Sequence, residues 1–131
     1  MIFVDSGAWF ASLIVSDPDH VAALQWLNQN REPLITSDYV IDETLTLLRA
    51  RGQKNKADAF AAAVEAYQLG RLHFVTPLEF AGALKVFVQF RDKAWSFTDC
   101  TSKVIMDNLN VSAAFAFDQH FHQFGSVHVV P

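Results

Sequence analysis

Apolar residues along this chain fall into short solid blocks separated by longer stretches with helical spacing. The blocks predict strands over 2–5, 34–36, 72–75, 113–117 and 127–130. The stretches between predict helices over 7–15, 19–30, 38–51, 54–69, 77–90 and 98–109. Asp19 is placed to cap the second helix, and Ser37 or Asp38 the third. Gly52 and Gly70 fall just past helix ends, where a left-handed residue closes the last turn. Pro77 suits a first helical turn. Uninterrupted apolar strands alternating with helices predict a mostly parallel sheet covered on both faces, in one compact α/β unit. No repeat, linker or low-complexity tract divides the 131 residues, so a single domain over 1–131 is expected.

Four acids interrupt this pattern. Asp5 ends the run Met1-Ile2-Phe3-Val4, and Asp118 ends Ala113-Ala114-Phe115-Ala116-Phe117. Glu43 shares a helical stripe with Val40 and Leu47, whereas Asp42 falls with Thr46 and Arg49 on a polar stripe. Asp99 closes Ser96-Phe97-Thr98-Asp99, a capping-box pattern ahead of the Val104, Ile105 and Leu109 face. Each has a structural alternative: a helix cap at Asp5, a turn at Asp118, a buried ion pair at Glu43, the cap itself at Asp99. Parallel α/β sheets, however, build ligand sites outside the carboxyl ends of their strands. Acids at two such ends and on two helices can converge there, and clustered carboxylates stay ionised only around a cation. The expected chemistry is a divalent-metal site.

Composition narrows the class. At 51% hydrophobic and 18% charged residues, disorder is not expected. No apolar run approaches the ~20 residues that cross a bilayer, so no membrane role is expected. The N-terminus lacks the basic region of a signal peptide, and one cysteine, Cys100, permits no internal disulfide. A cytoplasmic location is the expectation. A net charge of −4 looks unfavourable for a nucleic-acid binder, but the four site acids account for all of it.

Arg91, Lys93 and Trp95 precede Asp99 and mix cations with an aromatic, a combination suited to phosphate attraction and base stacking; a solvated loop with one packed tryptophan is the alternative. Trp9 reads as core. His120-x-His122 near Asp118 admits a softer metal, although no cysteine or further histidine stands at ligand spacing. Cys100 lacks a paired base and reads as a small buried helix residue rather than a nucleophile. Arg49, Arg51, Lys54 and Lys56 crowd one inter-helix turn, open to RNA, to an acidic peptide, or to water alone. Any apolar surplus on the helices 38–51 and 54–69 would mark a protein interface.

The opening Met1-Ile2-Phe3-Val4-Asp5-Ser6-Gly7-Ala8-Trp9 resembles the start of a PIN-domain protein of the VapC toxin type. Tyr39-Val40-Ile41-Asp42-Glu43-Thr44 is similar to the second motif of that family, Ser96-Phe97-Thr98-Asp99-Cys100 to the third, and Phe115-Ala116-Phe117-Asp118-Gln119-His120-Phe121 to the fourth. The resemblance implies a three-layer α/β/α sandwich with a mostly parallel central sheet, and a Mg²⁺- or Mn²⁺-dependent endoribonuclease with Asp5, Glu43, Asp99 and Asp118 at its metal site and Ser96 as the associated hydroxyl. It also implies an RNA substrate, a homodimer and a cognate antitoxin. Two other functions stay open from the residues: a non-catalytic RNA- or protein-binding module, and a Mg²⁺-binding phosphoacceptor signalling domain. The second would want an acid pair beside the first strand and a late lysine, and no lysine follows Lys103.

Overall fold

The computed structural model describes residues 1–131. Five short strands form one parallel sheet: β1 (Ile2–Val4), β2 (Leu34–Ser37), β3 (Arg71–His73), β4 (Ala113–Phe115) and β5 (His128–Val130). Six helices join them: α1 (Ser6–Leu13), α2 (His20–Gln29), α3 (Asp38–Ala50), α4 (Lys54–Glu65), α5 (Pro77–Gln89) and α6 (Phe97–Leu109). The spatial order is β3-β2-β1-β4-β5, and the whole is a three-layer α/β/α arrangement.

β1 is central and buried along its length, which explains its solid apolar block: helices cover both faces, so no position alternates outward. Phe3, Ile35, Leu48, Ile105, Met106, Phe115 and Phe121 are fully buried around it. Each such side chain contributes roughly 1.5–3 kcal/mol of transfer free energy. Strand order also fixes where a ligand can sit. The chain leaves β1 toward β2 and β3 on one side, then returns to β4 and β5 on the other. The switch point lies between the carboxyl ends of β1 and β4.

Several local expectations need correction. Ser37 caps α3, its Oγ accepting from the Val40 N–H at 3.1 Å, while Asp38 instead accepts from the Val75 N–H at 2.9 Å. Asp19 makes no side-chain cap. The helix expected over 54–69 stops at Glu65, and Tyr67 turns left-handed with φ 55°. Gly70, expected beyond that helix, serves the next strand. Its φ is +100°, and a Cβ there would stand 2.5 Å from the Leu34 carbonyl oxygen. Pro77 does open α5, behind a complete Thr76–Glu79 capping box. A 3₁₀ turn, Phe121–Phe124, interrupts the connection from β4 to β5.

Candidate metal centre

Asp5 is the residue after β1, and its N–H donates to the Phe115 carbonyl of β4 at 3.1 Å. That bond seats it at the switch point, where it is 2% exposed. Its Oδ1 is the one buried side-chain polar atom in the chain with no hydrogen-bond partner. It does not act as a side-chain cap for α1. Burial pushes its carboxyl well above the usual range. The charges of Asp118 and Asp99 add to this, the Ser6 N–H works against it, and Glu43 raises it further.

Asp99 is equally well held. The Ser96 capping box is complete: Ser96 Oγ accepts from the Asp99 N–H at 3.0 Å, and the Ser96 N–H donates to Asp99 Oδ2 at 3.0 Å. His120 Nδ1 lies 2.7 Å from the same Oδ2. Both partners are therefore spent on one oxygen, and the other is left free. Burial raises the Asp99 pKa, the Ser96 and His120 bonds oppose that, and Asp118 adds repulsion. Capping and site formation thus coexist in one carboxylate.

Glu43 is half-buried and accepts a short hydrogen bond from Ser6 Oγ, with no cationic side chain paired to it. Asp118 is exposed at the rim, its Oδ1 accepting from the His120 N–H at 2.9 Å. Ligand atoms of Asp99, Asp118 and His120 lie within 4.8 Å of one another. Neither Asp5 nor Glu43 falls within that group. Asp5 lies buried beside it, where the charges of Asp118 and Asp99 reach its carboxyl, and its unpartnered oxygen is a donor that a hard divalent cation could satisfy.

Sequence reasoning missed two members of this cluster. Ser6 directly follows a site acid, and that adjacency was its only signal. His120 was weighed only with His122 as a soft-metal pair. Here His120 turns to Asp99, while His122 is exposed on the 3₁₀ turn. The Trp95 base-stacking role does not fit its placement. Trp95 is 5% exposed, packs against Phe90 and Phe124, and donates from Nε1 to Gln123 Oε1 at 2.8 Å. Arg91 and Lys93 are exposed beside it, around a cleft of about 270 Å³. Trp9 is core, with Nε1 on Thr36 Oγ1 at 3.2 Å. Burial pushes the Cys100 thiol up to about 11, aided by Asp99, so it is no nucleophile at neutral pH.

The apolar surplus is not on α3 and α4, where Leu48 and Phe60 are buried. It lies chiefly on α5, where Leu78, Phe80, Leu84, Phe87 and Val88 are exposed. No helix is long and apolar enough to cross a membrane.

Comparison with known proteins places this geometry. A family model described as PIN domain matches residues 2–126. The 23S rRNA-specific endonuclease VapC20 of Mycobacterium tuberculosis is 34% identical over 131 residues, covering 100% of this chain and 99% of that protein. The crystal structure of M. tuberculosis VapC20, a sarcin-ricin loop cleaving toxin, matches with a TM-score of 0.92 and 31% identity over the whole of both chains. FitAcB from Neisseria gonorrhoeae matches with a TM-score of 0.71 over 100% of this chain and 97% of that one. Its 14% identity speaks to fold alone.

Proposed function

The chain belongs to the PIN-domain family, and on that premise we propose that it is a divalent-metal-dependent endoribonuclease and the toxin of a toxin–antitoxin pair. The observation that carries the metal reading is the unpartnered Asp5 oxygen, buried in the field of three other carboxylates. The likeness to VapC20 over the full chain carries the substrate class and makes 23S rRNA the first RNA to try.

Asp5 and Asp99 are the principal ligands in this reading, with Glu43 and Asp118 completing the shell directly or through water. Mg²⁺ or Mn²⁺ fits the all-oxygen set, and when bound it activates water and offsets charge on the phosphate. The chain's own residues set the orientation. Ser6 Oγ holds Glu43. The Ser96 N–H and His120 Nδ1 occupy Asp99 Oδ2, so Oδ1 is the oxygen that would be left to hold a cation. Ser96 Oγ accepts from the Asp99 N–H, so its own proton is free for a phosphate oxygen. Arg91 and Lys93 stand near enough to the Asp99 helix to draw the RNA strand in.

A homodimer and a cognate antitoxin complete the proposal. The exposed α5 stripe supports the dimer: Leu78 is 86% and Val88 69% exposed, a wide apolar face for one chain to leave in water. We assign that stripe to a second copy.

Incubating purified protein with ribosomal RNA in Mg²⁺ or Mn²⁺, and again in EDTA, tests the activity. Cleavage in metal alone is expected, with Asp5→Asn inactive yet folded. Full cleavage by Asp5→Asn refutes the site.

A further inference from the structure

Four of the ten lysines and arginines lie within eight residues at the turn from α3 to α4: Arg49, Arg51, Lys54 and Lys56. All four are exposed, and none is within ion-pair distance of a carboxylate. Arg51 is set against the fold, with its guanidinium carbon 5.9 Å from the centre of the Phe10 ring. In a chain of net charge −4, this is a local reserve of unpaired positive charge.

Open surface joins it to the acid cluster. A cleft of about 350 Å³ is lined by Asp42, Glu43, Thr46, Leu47, Ala50 and Thr98. A second, of about 400 Å³, shares Thr46 and Ala50 with the first and adds Arg49 and Ala57. A third is walled entirely by residues 52–56. Arg49 stands six positions beyond Glu43 on α3, about 9 Å of helix rise.

We propose that this track is a binding site for the sugar–phosphate backbone of RNA flanking the cleaved bond. The inference rests on the nuclease reading of the acid cluster and adds where the substrate lies. The acid end, with Asp42 at its margin, repels a polyanion, and Asp58 lines the same cleft as Arg49, so affinity has to come from the cations that outnumber that one acid. Unpaired cations supply it by releasing the counterions condensed on the RNA. An acidic peptide would be served by the cations alone. A ligand with regularly repeated phosphates has reason to span both ends, since one phosphate is cut while its neighbours are gripped.

The test compares wild-type protein with an Arg49→Ala/Lys54→Ala/Lys56→Ala variant, all three positions being exposed, in Mn²⁺ over a series of KCl concentrations. The substrates are a stem-loop RNA and a single-stranded RNA too short to span the track. Cleavage of the short RNA should be unchanged. On the stem-loop, kcat/KM should fall about tenfold or more, and its log–log salt slope should flatten by roughly 2–3. An unaltered slope and rate on the stem-loop overturns the proposal. So does a polyglutamate peptide that inhibits only the wild type while both proteins cut the stem-loop alike, since the track would then take an acidic protein segment. Wild-type protein that cuts neither RNA sinks the nuclease reading itself, and this one with it.

Discussion

Replacing Asp5 with asparagine should make the metal-free protein more stable, although the change removes a proposed metal ligand. Asp5 is 2% exposed, and its Oδ1 has no partner. Burial and three neighbouring carboxylates disfavour its charge. Leaving such a group unsatisfied costs about 1–3 kcal/mol, more when it is charged. Asparagine keeps the shape, drops the charge and presents amide hydrogens to those acids. The sign with pH follows from a folded-state pKa raised above the ordinary aspartate value of 3.8. Below 3.8 the carboxyl is protonated whether folded or unfolded, so the penalty is absent. It grows as the unfolded chain ionises and levels off only above the raised folded value. Stability of the metal-free wild type should therefore fall as pH rises through that window, and the advantage of the variant should open over the same range. At neutral pH we expect a gain of about 1–3 kcal/mol, or roughly 3–10 °C in melting temperature for a chain of this size. Thermal unfolding by circular dichroism, in EDTA and at several pH values, measures it. Added Mn²⁺ should reverse the order, stabilising the wild type by mass action and the variant far less. A variant destabilised equally at every pH, or equal Mn²⁺ shifts for both proteins, would refute the reasoning.

Two further outcomes follow from the same geometry. His120→Ala should weaken Mn²⁺ binding about 10–100-fold, because an outer partner of a ligating carboxylate is lost. His120→Asn, whose amide can donate in place of Nδ1, should recover part of it; titration with electron paramagnetic resonance detection reads both, and unchanged affinity removes His120 from the site. Leu78→Glu/Val88→Glu on α5 should shift the protein to a monomer by light scattering and abolish the dependence of its melting temperature on protein concentration; a variant that stays dimeric moves the interface elsewhere.

Much of the fold was legible because parallel strands buried on both faces leave solid apolar blocks. β1 is the clearest case, its three residues and the acid after them standing at the sequence start. The Asp99 environment was legible for the same reason that made it ambiguous, since one carboxylate can close a capping box and keep an oxygen free. Legibility failed where contacts come from far along the chain. Trp95 sits beside Arg91 and Lys93 in sequence, but its surroundings are set by Gln123 and Phe124. His120 and His122 look equivalent in sequence, and only the 3₁₀ turn decides that one faces Asp99. The end of α4 was overrun because residues 66–69 continue a helical pattern. Tyr67 adopts a left-handed conformation that its residue type does not announce.

Anomalous diffraction from crystals soaked in Mn²⁺ tests the central claim most directly. The account predicts a peak between Asp5 and Asp99, within about 2.5 Å of a carboxylate oxygen of each. A map with no peak there, or with its only peak at an exposed histidine such as His122 or His128, would contradict it.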